Sequence, residues 1–166
     1  DGGFALSIQQ FDGNGQGIVT RHYDANGTPS HALADVNITI QGAQNFADSA
    51  NGPAGGHVVS WAAENVDGAS FAVMMRVFNA DGTAQTSELQ VNQSTAGNQN
   101  APSVTYLSDG RILIAWHSIE SSALYKVVAR VFNADGSPAS DEFIVDTGPS
   151  PRLYPDVVGL ETGGFL

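Results

Sequence analysis

Arg76-Val-Phe-Asn-Ala-Asp-Gly82 and Arg130-Val-Phe-Asn-Ala-Asp-Gly136 are the same seven residues, 54 positions apart. Arg21-His-Tyr-Asp-Ala-Asn-Gly27 is a looser copy 55 positions before the first of them. Self-similarity at a fixed interval is the mark of a repeat architecture. Two more markers keep the same interval. Gly2-Gly-Phe-Ala-Leu-Ser-Ile8 aligns with Gly55-Gly-His-Val-Val-Ser-Trp61 and Gly110-Arg-Ile-Leu-Ile-Ala-Trp116. Asn100-Ala-Pro-Ser-Val-Thr-Tyr-Leu107 is echoed by Tyr154-Pro-Asp-Val-Val-Gly-Leu160. The chain therefore reads as three copies of one unit.

Each unit holds four strand-like pieces. In the third copy they are Pro102–Leu107, Gly110–Trp116, Leu124–Phe132 and Glu142–Asp146. The second piece is continuously apolar, as a strand covered on both faces would be. Ser108-Asp-Gly110 and Asn133-Ala-Asp-Gly136 read as tight turns, with glycine free to take a positive φ. The fourth piece returns to the next unit through the longer stretch 147–154. Short turns followed by one long return are the wiring of a propeller blade. The expected fold is all-β, a β-propeller of four-stranded blades with about three blades in the chain. Another β-repeat array, a solenoid or a string of small sandwiches, is the alternative. The blades run over 1–45, 46–100 and 101–154, with 155–166 starting a further one, all in a single domain. The segment Asp48-Ser-Ala-Asn-Gly52 has lost the apolar residues of its counterpart, and reads equally as a poor inner strand or a loop.

The register of the ends raises a question of partners. The chain opens on a second piece and closes on a first piece (Pro155–Leu160) with the start of another second piece. It reads as part of a longer propeller, or as half of a six-bladed homodimer that exchanges Pro155–Leu160. Composition narrows the other partners. Six basic residues against 17 acidic ones give a net charge of −11. Nucleic acid and anionic membrane are disfavoured, because both need clustered Lys and Arg. No apolar run is long enough to span a bilayer as a helix. Cysteine is absent, which removes disulfides and thiolate metal sites. Calcium, glycans and another protein remain as partners.

The motifs Gly55-Gly-His-Val-Val-Ser-Trp61, Arg76–Gly82, Glu88-Leu-Gln-Val-Asn92 and Asn98-Gln-Asn-Ala-Pro102 resemble repeats of large secreted bacterial proteins, including adhesins of the repeats-in-toxin type. The resemblance covers essentially the whole chain. It implies an extracellular or cell-surface bacterial setting, often type I secretion, and calcium as a possible cofactor. The glycine-aspartate nonapeptides that bind calcium in that group are missing here.

Function is sought where the copies differ. The turns inside each unit are short and alike. The stretches 9–16, 62–70, 117–123, 41–45, 93–101 and 147–154 vary, and variable loops on a fixed scaffold are where specificity is usually placed. Candidate ligand-binding residues there are Glu64, His117, Glu120, Arg152 and Tyr154. Glu64 and Glu120 also form the one carboxylate pair that could serve acid–base glycan cleavage, against the plainer reading of solvated loop charges. Asp12, Asn14 and Gln16 have oxygen donors at alternate positions, as calcium loops do, but no glutamate closes the set, and turn hydrogen bonding is the plainer account. His57 reads as a core histidine or a ligand. Trp61 and Trp116 read as packing or as sugar platforms. Arg21, Arg76 and Arg130 read as a structural stack or as ion pairs between blades. No catalytic set stands out. The leading expectation is a non-enzymatic secreted module for partner or glycan binding or for spacing, with a glycan-active enzyme or lectin and a calcium-stabilised repeat as alternatives.

Overall fold

The computed structural model describes residues 2–68, 70–121, 124–148, 150–151 and 153–166. Eleven strands and no helix form three antiparallel sheets among these residues. The first sheet holds β1 (Phe4–Phe11), β2 (Gln16–Tyr23) and β3 (Ala34–Asp35). The second holds β4 (Gln44–Asn51), β5 (His57–Glu64), β6 (Phe71–Phe78) and β7 (Leu89–Gln90). The third holds β8 (Asn98–Tyr106), β9 (Ile112–Ser121), β10 (Leu124–Phe132) and β11 (Phe143–Gly148). Strands follow chain order within each sheet. The turns obey the glycine rule: Gly110 and Gly136 sit at φ 84° and 83° and close the turns back to Leu107 and Asn133.

The sheets stack face to face, and the apolar runs explain why. β5 alternates between two neighbours. Val59 and Trp61 pack with Ile18 and Val36 of the first sheet. Val58, with Val73, Met75 and Val77 of β6, packs against Ile112, Ile114, Trp116, Val128 and Phe132 of the third. Each fully buried aliphatic side chain contributes roughly 1.5–3 kcal/mol relative to exposure. Trp61 and Trp116 are buried, so their repetition reflects packing.

Of the two readings open for Asp48-Ser-Ala-Asn-Gly52, the structure takes the strand: residues 48–51 are the second half of β4. Its polar side chains are used by the neighbouring sheets: Asp48 Oδ2 accepts from the Val104 amide (2.8 Å) and the Ser103 hydroxyl (3.1 Å). Asn51 accepts from the Ala5 amide and donates to Gly3 O. The strands also run further than hydropathy alone indicates. β1 continues to Phe11, β5 to Glu64 and β9 to Ser121, and β8 starts at Asn98. Polar residues there complete the ladder, as His117 does opposite Asn100.

A carboxylate clip joins consecutive sheets. Glu88 accepts from the amides of Ile38 (2.7 Å) and Thr39 (3.2 Å) and from the Thr39 hydroxyl (2.8 Å). Glu142 repeats the arrangement on the amides of Gln93 and Ser94. Charge-assisted hydrogen bonds are the stronger kind, but these are exposed and screened. Glu142→Ala is expected to lower stability by about 1 kcal/mol, read as a fall of about 2–4 °C in the thermal midpoint. Glu142→Gln, which keeps the acceptor without the charge, should recover part of it. No change in either variant would dismiss the clip.

Candidate functional site

The site grows from a backbone feature that recurs in every unit. Phe46, Ala101 and Tyr154 occupy equivalent positions and all three are left-handed, at φ 53°, 47° and 57°. In β4 and β8 the residue sits in a bulge, between Asn45 and Asp48 and between Asn100 and Ser103. A bulge re-aims side chains, and a left-handed residue other than glycine costs of order 1 kcal/mol and is commonest at functional positions. Here the bulge turns the first residue of each unit's inner piece toward its neighbours. The Phe46 and Tyr154 rings approach to 6.2 Å, tilted by 51°. Between them in the repeat order stands Ala101, which is buried.

His117 completes the cluster. Its ring meets Tyr154 edge-on at 5.9 Å. The residue is 5% exposed, and its Nδ1 has no hydrogen-bond partner among the described residues. Burial pushes its pKa below the usual value. The imidazole is therefore neutral at physiological pH, with one nitrogen able to donate and the other to accept. Phe46 and Tyr154 are 44% and 65% exposed. The patch combines two open aromatic faces with one polar group lacking a partner.

Other candidates fall elsewhere. Glu64 ends β5 and accepts from the Ala43 amide at 3.1 Å. Glu120 lies on β9 and pairs with Lys126 Nζ at 2.5 Å. Both stand on strands and not on loops, in different sheets, and each has a partner of its own. Arg152 lies outside the described residues. Asp12 makes a turn: Oδ1 accepts from the Asn14 amide at 3.0 Å and Oδ2 from Asn37 Nδ2 at 3.5 Å. Gln16 begins β2 opposite Phe11. Among the described residues no group of three or more His, Asp or Glu could hold a metal ion.

His57 is a core histidine. Its ring stacks on Phe78 at 4.6 Å and contacts the Thr20 hydroxyl (3.0 Å) and His22 Nε2 (2.6 Å). Arg76 and Arg130 lie over Phe78 and Phe132, at 5.5 and 5.0 Å. They donate to carbonyls of the preceding sheet, and no ion pair involves them among the described residues.

Neither a family model nor a curated protein matches the chain. Solved structures do. A protein of unknown function from Dyadobacter fermentans superposes with a TM-score of 0.69 at 14% identity, over 94% of this chain and 42% of its own. An endo-arabinase from Bacteroides thetaiotaomicron gives 0.57 at 12%, over 88% and 59%. A fucose lectin from Kordia zhangzhouensis gives 0.47 at 15%, over 86% and 90%. The first two share the fold, and this chain spans less than two thirds of either.

Phe46 was missed by sequence reading. Its signal was available in the alignment of Asn45-Phe46, Asn100-Ala101 and Leu153-Tyr154 at one repeat position.

Proposed function

We propose that this chain is a non-enzymatic, propeller-type repeat module that binds neutral glycans through Phe46, His117 and Tyr154. The observation that carries the reading is the meeting, around Tyr154, of a second open aromatic ring and a buried imidazole with a nitrogen lacking a partner, contributed by two successive units. Aromatic faces take the C–H faces of sugars, and a neutral imidazole can meet a hydroxyl as donor or acceptor. The net charge of −11 favours an uncharged ligand over a sulfated or phosphorylated one. Stacked four-stranded sheets with long returns suit a ring. A ring needs four to eight such sheets, so a second copy or more chain of the same protein would complete it. An extracellular bacterial setting suits such a module.

A glycan array followed by titration calorimetry tests the binding. Arabinan belongs in the panel because a structure of this fold is named an endo-arabinase. Tyr154→Ala should weaken binding at least tenfold, and His117→Phe should weaken it while preserving the fold. Affinity unchanged in Tyr154→Ala, or no glycan bound, would overturn the reading.

A further inference from the structure

We infer that the third sheet carries a second, separate binding site, a groove on its face toward the second sheet that takes a vicinal diol of a neutral sugar or cyclic polyol. The groove has a volume of about 340 Å³, and Gln99, Trp116, Ser118, Glu120, Lys126 and Val128 line it. That volume lies at the lower end of the roughly 300–1,000 Å³ typical of small-molecule clefts.

The internal repeat supplies the control. Gln44 is the counterpart of Gln99 in the second sheet, and both are fully buried. Gln44 donates through Nε2 to Gln41 O and Gly42 O, and its Oε1 accepts from Asn37 Nδ2 at 3.2 Å. Gln99 keeps the first contact, donating to Ala96 O at 2.6 Å, which fixes the orientation of its amide. It has lost the second. Asn92, the counterpart of Asn37, keeps the two contacts that Asn37 makes with Asp12 Oδ2 and Thr39 O, here to Asp67 Oδ2 and Ser94 O, but among the described residues it makes no bond to Gln99. Gln99 Oε1 is buried without a partner among the described residues, and Gln99 is one of the residues that line the groove. A buried acceptor left bare is costly unless something occupies the site.

The neighbours change in the same direction. Ala63 and Ala72 of the second sheet pair across β5 and β6, and at their places in the third sheet Ser118 pairs with Lys126 across β9 and β10. Glu120 and Lys126 form an ion pair over the opening, leaving Glu120 Oε2 and two ammonium protons for a ligand. A diol suits this set. One hydroxyl donates to Gln99 Oε1 while accepting from Lys126, and the adjacent one donates to Glu120. The ion pair is neutral as a whole, so no ligand charge is called for. The site rests on Gln99 and its neighbours and not on the aromatic patch of Tyr154.

Nitrogen-15 NMR of the chain, titrated with L-arabinose, methyl galactoside and myo-inositol, and with 1,3-propanediol as the control without a vicinal diol, tests this. Shifts centred on the Gln99 side-chain amide, Ser118 and the Trp116 indole are expected for at least one of the three ring compounds and not for the control. Lys126→Met should weaken that response at least tenfold, whereas Tyr154→Ala should leave it unchanged. Ser118→Ala is the second variant if Lys126→Met loses its dispersed spectrum. Shifts confined to Tyr154 and His117, equal shifts with 1,3-propanediol, or no shifts at all would overturn the proposal.

Discussion

Acidification from pH 7 to pH 4 is expected to remove roughly 3 kcal/mol of stability through His57 alone, at about 1.4 kcal/mol per pH unit below the unfolded pKa. The pKa of His57 falls from 6.5 to about 3, because burial disfavours the charged ring and His22 and His31 stand nearby. The hydrogen bonds give the same sense. The Thr20 hydroxyl donates to Leu6 O, so its oxygen accepts from His57 Nε2–H. His57 Nδ1 then accepts from His22 Nε2–H. A second proton on His57 would set one N–H against another. Between pH 6.5 and 3 the unfolded chain binds a proton that the folded chain refuses, so stability is full above pH 6.5 and declines as pH falls. His22, also lowered by burial and by His31, acts in the same direction.

Urea unfolding midpoints across this range check the expectation. The repeat itself suggests the variant. Ile112 holds the position of His57 in the third sheet, against Phe132 in place of Phe78. His57→Ile should therefore fold and flatten most of the acid decline. An equally steep decline in His57→Ile would move the cause to other groups. Loss of about 3 kcal/mol is a large share of the 5–15 kcal/mol typical of a domain, so the first sheet should be the first to loosen in acid.

The repeat and the sheets were readable because local chemistry decides them. The Asn-Ala-Asp-Gly turns need a positive φ, and β5 and β9 are apolar on both faces, so no other element suits those residues. The β4 strand was not readable. Its Asp48 and Asn51 look like loop residues until the third and first sheets supply their partners. The same holds for the site. His117 and Tyr154 stand out singly in sequence as loop-edge residues, but their contact, and that of Phe46 with Tyr154, arises only in the folded chain. Glu64 and Glu120 show the converse: a carboxylate near a strand end looks free in sequence, and here Glu64 accepts from the Ala43 amide and one oxygen of Glu120 pairs with Lys126. Gln99 shows the same limit. Nothing local separates it from Gln44; the difference is that Asn37 donates to Gln44 as well as to its other two acceptors, whereas Asn92, 7 residues before Gln99, makes only the equivalent two bonds among the described residues.

Arg130→Ala should be among the most damaging single changes, at about 3 kcal/mol, or roughly 6–12 °C in thermal midpoint. Arg130 is 8% exposed, and no carboxylate balances it among the described residues. Its charge is met by dipoles and a ring. Nε donates to Ser140 O at 3.1 Å, which anchors the approach to β11, and Nη1 donates to Val91 O at 2.8 Å, in the second sheet. The guanidinium lies over Phe132 at 5.0 Å. Truncation would strip two carbonyls of their donor and leave a void above the ring. Lysine has no planar fork to reach both carbonyls from one position, so Arg130→Lys should lose about half as much. Arg76 makes the same bridge to Asp35 O and Val36 O and should behave alike. Arg21 is the internal control. Among the described residues it donates only to His31 O within its own unit, so in this chain Arg21→Ala should cost under about 1 kcal/mol. Equal losses for Arg21→Ala and Arg130→Ala would mean that the arginines act only within their own sheets. A large difference would identify the guanidinium bridge as the bond by which each unit holds the one before it.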